Sequence, residues 1–85
     1  MKLIKLERAL YLSAVSRSTF YNNIKLGLMT PPVSLGIHSV AWPEHEINAI
    51  NSARVAAKSE YEIKALVAQL VTARKELNLS DVLNG

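Results

Sequence analysis

Apolar residues recur at more than one period along this chain, and the changes of period divide it into elements. From Leu6 to Leu12 (LERALYL) they return at the three-and-four spacing of a helix, with Leu6, Leu10 and Ala9 facing inward. Ser13-Ala14-Val15 is a tight connector into a second helical stretch, Ser16 to Gly27. At about 100° per residue, Phe20 and Ile24 share one side of that helix. Ser18, Tyr21, Asn22 and Lys25 fall on the other, with Arg17 at its shoulder and Thr19 to one side. Both ends are signalled. Ser16 is a good N-cap, because its hydroxyl accepts from the orphan amides that follow. Gly27 is a stop, because it enters the left-handed conformation without a Cβ penalty.

Beyond Gly27 the period changes. Leu28 and Met29 fold back on the core, and Thr30-Pro31-Pro32 is an extended turn that no helix tolerates. Val33 to Trp42 alternates in both halves (Val33, Leu35; Val40, Trp42), which predicts a two-stranded hairpin with its tip at Gly36 to Ser39. A lone hairpin is marginal in water, so it must pack on the helices. Trp42 is the expected anchor, and its indole N–H then needs an acceptor. Lys2 to Lys5 reads as a short lead, anchored by Leu3 and Ile4.

Pro43-Glu44-His45-Glu46 opens a third helix running to about Ala57, with Ile47, Ile50 and Ala53 inward and two carboxylates opposing the helix dipole favourably. The last helix, Glu60 to about Leu77, repeats Ile63, Leu66, Leu70, Ala73 and Leu77 at alternating spacings of three and four, widened by Val67 and Val71. Two readings of this stripe stand side by side. It caps its own domain, or Ile63, Leu66, Leu70 and Leu77 mediate self-association with another copy. Asn78 to Gly85 is polar and expected to fray. The fold class is therefore mainly α with a small β-hairpin. Residues 1–57 form the main domain, and residues 58–85 add an amphipathic helix and tail.

Composition narrows the function. The chain has 85 residues and no cysteine, which excludes a disulfide framework and a thiolate metal site. No apolar run approaches the roughly 20 residues that span a bilayer, and no signal-peptide pattern opens the sequence. A cytoplasmic protein without membrane contact is expected. His38, His45, Glu44 and Glu46 place no three ligands on one helical face, so no metal is expected. No nucleophile–base–orienter set or phosphate loop is present, so neither an enzyme nor a small-molecule ligand or cofactor is expected. The net charge of +3 is unevenly placed. Residues 1–42 carry Lys2, Lys5, Arg8, Arg17 and Lys25 against Glu7 alone, while residues 43–85 carry five basic and six acidic side chains. A basic front on a near-neutral back fits a polyanion partner, and equally a solvated surface.

Two short helices joined by about three residues, the second polar outside, form the helix-turn-helix pattern, although many αα-corners of this shape bind nothing. The set Val15-Ser16-Arg17-Ser18-Thr19-Phe20-Tyr21, Gly27, Pro32-Val33, Leu35-Gly36, Val40-Ala41-Trp42 and Glu46-Ile47 is more specific. Over roughly residues 3–57 it resembles the AlpA family of phage-type regulators and excisionases, whose fold is a MerR-like winged helix-turn-helix. That resemblance implies double-stranded DNA as partner, with Arg17, Ser18, Thr19, Tyr21, Asn22 and Lys25 on the recognition helix. It makes the hairpin a wing that presents His38 and Ser39, and Lys5 and Arg8 lie where the first helix would meet the backbone. It implies an excisionase, a regulator of integrase genes, or both, acting in a bacterial nucleoid with integrase as protein partner and cooperative self-association on repeated sites. Ser34 and His38 stand where family members usually carry arginines. The alternative is a protein-interaction module, antitoxin-like or an adaptor, working through the C-terminal helix. The two readings differ in what the polar face of the second helix is for.

Overall fold

The computed structural model of the protein describes residues 1–76. The chain runs β1 (Leu3–Ile4), α1 (Leu6–Ser13), α2 (Arg17–Leu26), β2 (Val33–Gly36), β3 (Ser39–Pro43), α3 (Glu44–Val55) and α4 (Glu60–Lys75). It is mainly helical with one small antiparallel sheet, and the order helix, turn, helix, hairpin is compatible with a small winged helix-turn-helix.

The sheet has three strands, not two. The lead segment pairs with the hairpin, Leu3 opposite Pro43 and Ile4 opposite Trp42, giving the order β1-β3-β2. Lys2 then accepts the first free amide of α3 on its carbonyl, from Glu44 N–H at 2.9 Å. Two residues show no period of their own. What makes this strand is its long-range partner, with Ile4 buried opposite Trp42.

β2 and β3 pair through Val33–Ala41, Ser34–Val40 and Gly36–Ser39, with a register shift between Ser34 and Gly36. Leu35 falls at that shift and is exposed, and Val40 is exposed too. Of the expected inward set only Trp42 is fully buried, and the adjacent Ala41 is buried too, so the alternation gives way to burial on both sides at the base of the hairpin.

The core gathers Ile4, Ala9, Phe20, Met29, Trp42, Ile47, Ile50, Ile63 and Val67. Trp42 and Phe20 meet edge to face at 5.2 Å between ring centres, and the indole N–H donates to the Thr30 carbonyl at 3.0 Å. The stripe offered for self-association is turned to this core. Ile63 and Val67 are 7% exposed, Leu66 and Leu70 pack beside them, and Leu77 lies outside the described residues, as does the tail 78–85. Burial of that face in its own domain is the favourable outcome where a partnerless core is available. Arg74, one residue before the end of α4, fastens it. Its guanidinium donates to both oxygens of the fully buried Glu46 carboxylate, at 2.6 and 2.9 Å, and to the Pro31 carbonyl at 2.8 Å. Glu46 thus anchors α4, a role its place in the first turn of α3 did not reveal.

Candidate nucleic-acid interface

The exposed helix of the pair, α2, is held at both ends by local chemistry. Ser16 Oγ accepts from the Thr19 amide at 3.2 Å and donates to Thr19 Oγ1 at 3.0 Å, so Thr19 closes the cap with its hydroxyl. At the other end Gly27 adopts φ 80°, and two bonds complete a Schellman stop: Gly27 N–H to Ile24 at 3.2 Å and Leu28 N–H to Asn23 at 2.8 Å. Inward, Phe20 is fully buried and Ile24 partly so. The turn before α2 is pinned from α3, where Asn51 Nδ2 donates to the otherwise orphaned Leu12 carbonyl at 2.9 Å.

That anchoring leaves Arg17, Ser18, Thr19, Tyr21, Asn22 and Lys25 exposed together. Ser18, Tyr21, Asn22, Ile24 and Lys25 line a shallow groove along one flank of the helix. Tyr21 is 39% exposed, and its ring is held edge-on to Phe20 at 6.1 Å, which fixes where the phenol points. α4 does not cover this face. Among the described residues neither Arg17 nor Lys25 belongs to an ion pair; those present join Lys2 to Glu44, Lys58 to Glu62 and Arg74 to Glu46.

Arg17 is the informative charge. It is the first residue of α2, at the positive end of the dipole, and the first turn holds no acid. A cation there costs about 0.3–1 kcal/mol rather than stabilising. Folding therefore gives no reason for it, whereas an anion brought to that end would meet the guanidinium and the free helix amides together.

The hairpin presents Ile37 and His38 at its tip, His38 with φ 60°. His38 is exposed, but Ser39 is half-buried, and its hydroxyl accepts from Lys5 Nζ at 2.8 Å. Lys5 and Ser39, expected to reach outward separately, are joined to each other. Arg8 lies over the Tyr11 ring at 5.2 Å on the outer face of α1. The sequence did not single out Arg74. Through Glu46 and Pro31 it holds the segment that leads into β2, and no residue near it in the chain signals that role. No helix among the described residues is long and apolar enough to cross a membrane, and no group of three His, Cys, Asp or Glu side chains gathers there.

The profile of the family described as Prophage CP4-57 regulatory protein (AlpA) matches residues 2–54, which takes in β1 to α3 and leaves α4 outside. An uncharacterised protein, ORF88, of Enterobacteria phage P4 is 35% identical over 57 residues, covering 67% of this chain and 65% of that protein. The match thus spans just under two thirds of the relative. No solved structure matches.

Proposed function

The chain belongs to the AlpA family of prophage regulatory proteins, and on that premise we propose that it is a sequence-specific double-stranded-DNA-binding protein of a mobile element. It acts in the cytoplasm on its own element, as an excisionase, a regulator of integrase expression, or both, within a MerR-like winged helix-turn-helix. The observation that carries the reading is the free polar face of α2: a capped, rigid helix with Arg17, Ser18, Tyr21, Asn22 and Lys25 exposed and no structural use for Arg17.

α2 enters the major groove. Asn22 is suited to adenine, Arg17 and Lys25 to guanine or phosphate, and the hydroxyls of Ser18 and Tyr21 to either. Thr19, whose hydroxyl closes the cap, contributes at the edge. The wing offers His38 in place of arginine, so its phosphate contact is weaker than a guanidinium's.

One module of this size covers only about 600–1,000 Å² on DNA. Three or four phosphate contacts then give a log–log salt slope near −3. That is too little to find a site in a genome, so several copies bind repeated sites side by side. Bending a site of 20–30 bp costs about 1–6 kcal/mol, and the summed contacts of adjacent copies offset it. A bent attachment site brings integrase-bound arms together for excision. A protein-interaction role through the α4 stripe has less support, because Ile63 and Val67 are committed to the chain's own core.

Footprinting across the element's attachment sites and integrase promoter separates the two activities. Protection at the attachment site supports excision, protection at the promoter supports regulation, and protection at neither removes both.

A further inference from the structure

The C-terminal end of α2 is ringed by cations from three helices. Lys25 stands in its last turn. Arg54, near the end of α3, points its guanidinium at the Leu28 carbonyl just past the stop, at 3.5 Å. Lys64 of α4 packs beside the stop, its Cγ lying 3.9 Å from where a Cβ on Gly27 would be. All three side chains are exposed, and none belongs to an ion pair among the described residues. The nearby acids do not neutralise them. Glu62 is engaged with the Ser59 amide and Lys58, and Glu60, one turn before Lys64, makes no ion pair with it.

A cation near a helix C-terminus is favourable by itself, which accounts for one such side chain. Three converging from separate elements repel one another, and folding is not helped by the third. The dimensions suggest what relieves that repulsion. A helix of 10 residues is about 15 Å long, while the major groove is about 12 Å wide. With the Arg17 end directed at the bases, the Gly27 end therefore reaches the phosphate ridge that bounds the groove.

We infer that Lys64 and Arg54, with Lys25, form a phosphate clamp at the C-terminal end of the recognition helix, so that α3 and α4 contribute directly to DNA binding. The inference rests on α2 being the groove-reading helix. It makes α4, which lies outside the family match, a DNA-contacting element as well as a cap on the core.

The test is anisotropy titration of the full chain on a fluorescent mixed-sequence duplex of roughly 20 bp, between about 50 and 200 mM KCl. Lys64→Ala should reduce the log–log salt slope by about 1, and Lys64→Ala with Arg54→Ala by about 2. Lys75→Ala, three turns further along α4, should leave the slope unchanged. Circular dichroism melts of each variant confirm that the fold is retained. Salt-dependent binding by the wild type with an unchanged slope in the Lys64 and Arg54 variants overturns the clamp alone. No salt-dependent binding by the wild type overturns the clamp and the DNA-binding reading together.

Discussion

Arg74 grips Glu46 across 28 positions of chain, through paired bonds of 2.6 and 2.9 Å, and the carboxylate it holds is fully buried. The third bond, to the Pro31 carbonyl at 2.8 Å, ties the same guanidinium to the base of the wing. Removing one partner strands a buried charge, so Arg74→Ala should destabilise the domain by about 3–5 kcal/mol. Replacing both side chains with apolar ones, Glu46→Leu and Arg74→Met, should cost far less. Urea unfolding of the three proteins decides it. A loss below about 1 kcal/mol for Arg74→Ala would mean that the pair behaves as an exposed one.

This pair also shows where sequence reading stops. The caps of α2 are local: Ser16 speaks to Thr19 and Gly27 to Asn23 and Ile24, so both ends of the helix were legible at short range. So was the indole's need for an acceptor, met by Thr30. Glu46 in a first turn reads as a dipole-compensating acid, because nothing within a few residues announces a partner in α4. Leu3 and Ile4 become a strand only through Pro43 and Trp42. Leu35 and Val40 sit in an alternation that would bury them, but the register shift at Ser34–Gly36 leaves them outside. The a/d stripe of α4 looks alike whether it meets another copy or its own core. The candidate face of α2 was readable as a face; which distant cations gather at its end was not.

Helices α2 and α3 end in the same Schellman geometry, one with Gly27 at φ 80° and one with Ala57 at φ 56°. The two sites should therefore respond with opposite signs. Gly27→Ala has room beside Lys64 but adopts a left-handed backbone, and should cost about 1–2 kcal/mol. Ala57→Gly relieves the same strain and should stabilise by up to about 1 kcal/mol, less the entropy of the freer unfolded chain. Chemical denaturation of both variants checks the pair. Changes of the same sign would show that the two stops are not equivalent.

Arg17 offers a trade between folding and function. Arg17→Glu places an acid at the positive end of α2 and should raise stability by about 0.3–1 kcal/mol. The same change should abolish duplex binding, by replacing a phosphate or base contact with a repulsive charge. Thermal melts and anisotropy on one preparation report both. A variant that is stabilised and still binds would remove Arg17 from the interface.

The start of α4 should be acid-sensitive. Glu62 is held below the usual carboxylate pKa, first by the Ser59 backbone amide, then by the Ser59 side chain, with burial opposing and Lys58 adding a smaller attraction. A carboxyl lowered on folding contributes stability that is complete above its unfolded value, about 4.3, and is lost as pH falls through the lower folded value. Glu62→Gln should therefore flatten the acid limb of the stability profile while changing its neutral shape little. Urea midpoints measured down to about pH 2 provide the comparison. An acid limb identical to the wild type would assign the sensitivity to other carboxylates.

The most direct measurement is amide chemical-shift mapping of the labelled protein during titration with duplex DNA from the element's attachment region. The largest shifts should fall on Arg17, Ser18, Tyr21, Asn22 and Lys25, with smaller ones at His38. Shifts confined to the outer face of α4, with α2 unmoved, would contradict the assignment of α2 as the helix that reads DNA.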